Sequence, residues 1–237
     1  MTTYYESDKL LSEYLLFHYG SADEILPYDS GPRDALEYPA RCVSECVTAR
    51  GRALDLGCAV GRSAFELARS CEPVIGIDFS HRFIDAATAL KSGELPFLRA
   101  DEGDRTTPLI ARVPAGIDRA RVAFEVGDAM DLRADLGAFD VVLMANLIDR
   151  LREPLRCLER LPALVKSGGQ LVITSPYTWL EDFTPRANWL CPALDGLRDA
   201  LAPDFDLTAT RDLPFLIREH ARKFQWSVAQ ASVWRRG

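Results

Sequence analysis

The chain has 237 residues, 48% of them hydrophobic, and 28 Lys+Arg against 35 Asp+Glu give it a net charge of −7. That length supports one large core burying about 70 to 75% of the unfolded surface, and the acidic balance gives no overall attraction to a polyanion, which excludes nucleic acid as the expected substrate. The apolar runs stop well short of the ~20 residues that cross a bilayer, and MTTYYESDKL lacks the basic and apolar segments of a secretory signal, so a cytoplasmic protein with no membrane partner is expected.

At the amino terminus, KLLSEYLLFHYG sets Leu11, Tyr14, Leu15 and His18 on neighbouring helical positions. Residues 1–50 are expected to form helices and a lid over a Rossmann-like core spanning 51–237, the whole chain being one domain. The core opens with ALDLGCAVGR, Ala53 to Arg62: a buried strand ending near Asp55 and Leu56, then a turn in which Gly57 and Gly61 let the backbone pass close to a ligand. A second strand, VIGIDFS, places Asp78 21 residues after Gly57, the spacing at which a carboxylate reaches a cofactor's ribose hydroxyls. The middle glycine of a dinucleotide turn is replaced by Ala59, which weakens a pyrophosphate reading. The turn resembles motif I of class I methyltransferases, whose cofactor S-adenosylmethionine carries a ribose and an adenine but no phosphate.

HRFIDAATALKS follows as a helix, with Ser80 able to cap it. Gly93 to Ala123 is too long for a bare connection, and its LPFLRA and LIARV predict an inserted hairpin. VAFEVGD, ending at Asp128, reads as the third strand of the sheet, and FDVVLMANLI, from Phe139, as a fourth buried on both faces. EPLRCLERLPALV aligns Leu155, Leu158, Leu161 and Leu164 on a helical stripe, and the turn SGG (167–169) leads into a fifth strand, QLVITSPY. LTATRDLPFLIRE and FQWSVAQASVWRR close the sheet as an antiparallel pair, the second with Phe224, Trp226 and Val228 on one face. The fold class is therefore α/β: a mostly parallel seven-stranded sheet with an antiparallel carboxyl-terminal edge.

Six cysteines form no C-x-x-C pair and three histidines are scattered, so neither a metal site nor a disulfide framework is expected. In an open α/β sheet the ligand sits beyond the carboxyl ends of the strands. Asp55, Gly57, Cys58, Gly61, Asp78, Phe79, Asp128, Ala129 and Asn146 are the cofactor candidates, with Asp78 for the ribose diol, Phe79 for an adenine face, and Asp128 with Ala129 for the adenine edge. Cys58 is a small packing residue of the turn, having no neighbouring histidine to activate it.

YYESDKLLSEYLLFHYG, LPYDSGPRDALEYPARC, LDLGCAVGRSAFELAR, IGIDFSHRFI, ANLIDRL and TSPYTWLEDFTPRANWL together resemble the methyltransferase module of ovothiol synthase, a 4-mercaptohistidine N1-methyltransferase. The resemblance runs over nearly the whole chain, and YLLFHYG and SPYTWLEDFTP carry its specific part. It implies transfer of a methyl group from S-adenosylmethionine, with S-adenosylhomocysteine as product, to the π nitrogen of 5-thiohistidine. In many relatives the module follows an iron-dependent sulfoxide synthase. Here that partner is a separate enzyme or a missing fused domain, and 5-selenohistidine becomes an alternative substrate.

An in-line displacement needs an unprotonated ring nitrogen and two oriented reactants, the orientation itself contributing ~7 to 11 kcal/mol. His18, Asp149 and Tyr14 are the candidate proton acceptors. A zwitterionic amino acid needs a forked cation, for which Arg41, Arg150 and Arg218 are candidates, and an ammonium acceptor, Glu181 or Asp182. Tyr14, Tyr19, Tyr177 and Trp179 are candidate walls for the imidazole, with His18 and Asn146 beside them. A nicotinamide-dependent oxidoreductase, a methyltransferase for another small molecule, and a non-catalytic cofactor-binding subunit are the rival readings.

Overall fold

Successive side chains of the central strands point to opposite faces, and both faces are buried. Ala53, Val141, Leu143 and Val172 belong to one apolar cluster, whereas Leu54, Leu56, Val142, Met144, Leu171 and Ile173 belong to another. A sheet with two buried faces is what such continuous apolar runs produce. The computed structural model describes residues 5–237; residues 1–4, which begin the expected lid and include Tyr4 of the YYESDKLL string, lie outside the described residues.

The sheet runs β5-β2-β1-β6-β7-β9-β8, from β1 (Gly51–Leu56), β2 (Cys71–Asp78), β5 (Val122–Val126), β6 (Phe139–Ala145), β7 (Val165–Ser175), β8 (Phe205–His220) and β9 (Lys223–Arg236). The five strands from β5 to β7 pair in parallel, and β9 runs antiparallel to both β7 and β8. This is the expected α/β class with its antiparallel edge. Crossovers run through α4 (Arg62–Leu67) and α5 (His81–Ser92), the latter capped by Ser80, whose Oγ accepts the Phe83 N–H at 3.2 Å. The expected insertion is the separate hairpin of β3 (Leu95–Glu102) and β4 (Arg105–Ala111). Helices α1 (Asp8–Tyr19), α2 (Ala22–Ile25) and α3 (Tyr38–Ser44) precede the sheet.

Local expectations needed correction in four places. The leucine stripe forms two short helices, α6 (Pro154–Leu158) and α7 (Leu161–Leu164), because Pro162 supplies no amide to continue the first; Leu158, Leu161 and Leu164 are buried while Leu155 is 48% exposed. Ser167–Gly169 is not a turn before a strand but a bulge inside β7, where pairing jumps from Phe139↔Val165 to Val141↔Gln170. The third and fourth strands end earlier than their apolar runs, at Val126 and Ala145, and Asn146 leaves the sheet at φ 52°. The Phe224, Trp226, Val228 face of β9 is the outward one, since Ala229 and Ala231 are buried and Trp226 is 56% exposed. A final helix, α8 (Ala193–Leu201), precedes β8.

Candidate functional site

At the carboxyl edge of β1 the chain must reverse within five residues. Gly57 and Gly61 take φ of 79° and 85°, conformations that cost glycine little. The space a Cβ would claim is already filled by the protein: Leu147 Cδ1 lies 3.0 Å from that point at Gly57, and Phe124 Cζ 2.6 Å at Gly61. Both glycines therefore admit neighbouring side chains as well as the turn, and Gly61 lines neither cavity described below. Ala59 is also left-handed, at φ 47°.

The amides of this turn are spent inside the protein. Gly57 and Cys58 donate to the Ile77 carbonyl at 2.8 and 3.0 Å, Gly61 to the Cys58 carbonyl at 2.9 Å, and Ala59 to Asp78 Oδ2 at 2.9 Å. The hydroxyl of Tyr19 braces the same loop, donating to the Val60 carbonyl at 2.7 Å. A pyrophosphate cradle needs such amides free, so the loop suits a ligand without phosphate.

Two adjoining cavities of about 140 and 280 Å3 open above the turn, a size suited to a small ligand. Tyr5, Gly57, Asp78, Phe79, Leu147, Arg150 and Leu151 line both. The larger continues past Gly127, Asp128, Ala129, Met130 and Phe183. The other runs under α1 and α3 past Tyr14, Phe17, His18, Tyr38, Asp55, Cys58, Phe83 and Asn146. Its roof is aromatic, with Tyr5 edge-on to Phe79 at 5.6 Å and Tyr14 against Phe83 at 4.7 Å. The roof is fastened to the start of α5: Ser80 Oγ donates to the Tyr5 carbonyl at 3.1 Å, the Glu6 carboxylate accepts the His81 N–H at 3.0 Å, and Arg82 pairs with Asp8. The amino-terminal segment thus covers both cavities.

The electrostatics of the site are dominated by two buried acids. Asp55 is 1% exposed and no donor lies within 3.5 Å in hydrogen-bonding geometry of either carboxylate oxygen; burial, and then the charge of Asp78, push it up to about 7 against the weaker pull of the nearby Ala64 amide. Asp78 accepts from Ala59 N through one oxygen and from Ser80 N, at 2.9 Å, through the other. Each oxygen keeps a lone pair for a ligand, and burial holds this acid up at about 6 against those amides. An unpaired buried carboxylate is costly, so Asp55 marks a place where a cation or a strong donor belongs. His18 lines the same cavity with Nδ1 unpartnered, and burial, then Arg62, push it down to about 3. It stays neutral near pH 7, a hydrogen-bonding group rather than a proton store.

Of the remaining sequence candidates, Asp128 and Ala129 line the larger cavity, the Asp128 carboxylate accepting the Met130 N–H at 2.8 Å. Asp149 does not reach a cavity: it lies behind Arg150, accepting from Arg150 Nη1 at 3.0 Å and Thr178 N at 2.9 Å. Arg150 Nη1 also donates to the Thr178 carbonyl at 2.7 Å, and the guanidinium sits 5.2 Å from the Phe183 ring centre. Arg41 is spent on the Asp34, Leu36 and Pro214 carbonyls and Glu45, and Arg218 on the Glu24 carbonyl and Asp101, so neither lines these cavities. Glu181 pairs with Arg186 on the surface, and Asp182 is likewise exposed there. Tyr177 turns away at φ 51° to bond Gln230, Trp179 packs on the second core cluster and Tyr19 bonds the Val60 carbonyl, so none of the three lines the smaller cavity, whose aromatic lining includes Tyr14, Phe17, Tyr38 and Phe83.

A model described as a methyltransferase domain matches residues 54–173, from β1 to β7. Ajmaline N-methyltransferase of Rauvolfia serpentina is 25% identical over 52% of this chain and 35% of its own length, and a ubiquinone biosynthesis O-methyltransferase of Coxiella burnetii is 23% identical over 56% and 47%. The chain thus spans about a third to a half of the curated relatives it matches. Among solved structures, N-methyltransferase NodS from Bradyrhizobium japonicum, in complex with S-adenosyl-L-homocysteine, superposes with a TM-score of 0.55 over 95% of this chain and 98% of that one, at 13% identity. That likeness speaks for the fold alone.

Proposed function

The chain belongs to the methyltransferase domain family, and from that premise we propose that it moves the methyl group of S-adenosylmethionine to the imidazole π nitrogen of 5-thiohistidine or its selenium analogue. The observation that carries the cofactor half is a pair of buried carboxylates, Asp55 with two unpartnered oxygens and Asp78 with a spare lone pair on each, facing one cavity beside a turn whose amides are already used. Asp55 suits the ammonium of the methionine portion. Asp78 suits the ribose diol. Phe79, Asp128, Ala129 and Met130 suit an adenine, and NodS, which shares the fold, holds S-adenosyl-L-homocysteine. A nicotinamide dinucleotide is disfavoured because its pyrophosphate would meet two buried acids and no free amide cradle.

When bound, the cofactor supplies an electrophilic methyl group. The protein contributes orientation and exclusion of water: aromatic walls for the ring, Arg150 as the forked cation for the amino acid carboxylate, and the lid that covers both. Nitrogen as the acceptor is supported by the ovothiol-like strings and by the N-methyltransferase among the curated relatives; a thiohistidine substrate rests on the strings.

Labelled S-adenosylmethionine offered with histidine, 5-thiohistidine, 5-selenohistidine and a few unrelated amines and phenols tests the reading. Transfer to the thio- or selenohistidine and not to histidine is expected. Transfer only to an unrelated acceptor would leave a methyltransferase of another substrate, and binding of NAD without response to S-adenosylhomocysteine would remove the methyltransferase reading itself.

A further inference from the structure

Beneath the smaller cavity lies a chain of hydroxyls that sequence spacing gives no hint of. Tyr38, 2% exposed at the start of α3, places its hydroxyl 2.7 Å from Asn146 Oδ1 and 2.6 Å from Thr174 Oγ1, and Thr174 Oγ1 lies 4.0 Å from Cys42 Sγ. Asn146 and Thr174 are held together from behind, since the Asn146 N–H donates to the Thr174 carbonyl at 2.8 Å.

Proton counting gives this chain a direction. A separation of 2.7 Å is the usual length of an O–H···O bond and short for N–H···O, so the Tyr38 proton lies on the link to Asn146 Oδ1. Tyr38 then receives a proton from Thr174, whose Oγ1 at 2.6 Å is much nearer to it than the 3.5 Å at which Thr174 Oγ1 faces Asn146 Oδ1, and Thr174 receives one from Cys42. Burial keeps the donors at both ends protonated, pushing the Cys42 thiol up to about 12 and the Tyr38 phenol well above its ordinary value. Oδ1 thus points at Tyr38, with Thr174 Oγ1 3.5 Å away on the same side, and the amide N–H groups are what Asn146 turns to the cavity it lines.

We propose that Asn146, its amide fixed by Tyr38, holds the sulfur or selenium of the substrate as an anion and so directs methylation to nitrogen. This rests on the thiohistidine reading above. A thiolate is a stronger nucleophile than an imidazole nitrogen, so an N-methyltransferase for this substrate must restrain it. A donor-only amide does that by hydrogen-bonding the anion and pinning it away from the methyl carbon. In the reaction that follows, the π nitrogen lone pair forms the N–CH3 bond while the S–CH3 bond of the sulfonium breaks, its electron pair remaining on the thioether sulfur of S-adenosylhomocysteine. The thiolate with a neutral ring protonated at the τ nitrogen becomes a thiolate with a methylated imidazolium, and no proton has to move in that step. Attack by sulfur would instead give a methyl thioether and a neutral ring. Asn146 is therefore the residue that separates the two products, and Tyr38 its positioning residue.

The test measures the ratio of N-methyl to S-methyl product from 5-thiohistidine and S-adenosylmethionine by mass spectrometry, with calorimetric binding of S-adenosylhomocysteine as the control for an intact fold. Tyr38→Phe should raise the S-methyl fraction at least about fivefold, and Asn146→Asp, which can still accept from Tyr38 but repels an anion, should raise KM for 5-thiohistidine at least about tenfold. Thr174→Val, a milder change that removes the proton given to Tyr38 and the longer 3.5 Å contact with Asn146 Oδ1, should move the ratio the same way by less. An unchanged product ratio and KM in variants that still bind S-adenosylhomocysteine would overturn the proposal. Amide exchange by NMR checks the orientation without substrate: since Tyr38 donates to Oδ1 it shields no side-chain N–H of Asn146, so Tyr38→Phe should cost that amide no protection, and protection lost with the Tyr38 hydroxyl would show the amide reversed. If the wild type transfers no methyl group to 5-thiohistidine, the substrate reading fails and the sulfur-holding role falls with it, while the exchange result still decides which way the amide faces.

Discussion

Asp78 Oδ2 accepts the backbone N–H of Ala59 at 2.9 Å, tying the acid at the end of β2 to the turn that follows β1. One carboxylate thus shapes the loop through one lone pair and offers the other to a ligand. Asp78→Asn keeps the size of the group but replaces one acceptor oxygen with a donor and removes the charge. Since a hydrogen bond to a charged group contributes about 1.5 to 3 kcal/mol, S-adenosylhomocysteine affinity should fall roughly 10- to 100-fold by calorimetry. Undiminished affinity would remove Asp78 from the cofactor site.

The two acids also set a pH dependence. Their folded-state values, about 7 for Asp55 and about 6 for Asp78, lie above the ordinary 3.8. The folded protein therefore holds protons that the unfolded chain has released, and stability is greatest below about pH 4 for these two groups and declines as pH rises through 6 and 7. Other carboxylates act in the opposite sense at lower pH, so the window in which this decline is visible is pH 5.5 to 8. Asp55→Asn should flatten it and stabilise the ligand-free protein at pH 8 by on the order of 2 kcal/mol, while weakening cofactor binding. A thermal-melting series at several pH values for both proteins checks it, and identical slopes would sink it.

The same acids predict that ligand binding releases protons. An ammonium beside Asp55 favours its ionised form, so at pH 6.5 S-adenosylhomocysteine should drive out a fraction of a proton. Calorimetry in two buffers of different ionisation enthalpy measures that fraction. Proton uptake, or none, would separate the ammonium from Asp55.

Residues at strand ends were legible in the sequence because topology alone places them: Gly57, Asp78, Asp128 and Asn146 lie at the carboxyl edge whatever their side chains do. Roles that depend on a distant partner were not. Arg41 looked as available as Arg150, yet the Pro214 carbonyl, 173 residues away, helps to hold it where it lines neither cavity, whereas Arg150, though also bonded to a carbonyl, lines both. Tyr38 gave only a local signal, a proline in the first turn of its helix, and its importance comes from Asn146, 108 residues on. Tyr177 and Trp179 line neither cavity, because Tyr177 leaves β7 in the left-handed region to bond Gln230 and both rings pack on the second core cluster. Periodicity likewise described Leu155 to Leu164 as one stripe without registering Pro162 as the break between two helices.

The lid gives a prediction of a different kind. Glu6 caps α5 from outside its own segment, its carboxylate accepting the His81 N–H at 3.0 Å and lying 3.4 Å from the Arg82 N–H. Removing it in Glu6→Ala leaves the helix its internal cap, Ser80, so global stability should fall by only about 0.5 to 1 kcal/mol. The loss should appear instead in lid opening, because Tyr5, whose ring lies 5.6 Å from Phe79 and 6.0 Å from Phe183, is carried by the same segment. S-adenosylhomocysteine should then dissociate several times faster with little change in its association rate. Stopped-flow displacement measures both, and a dissociation rate equal to that of the wild type would show that the latch does not hold the lid.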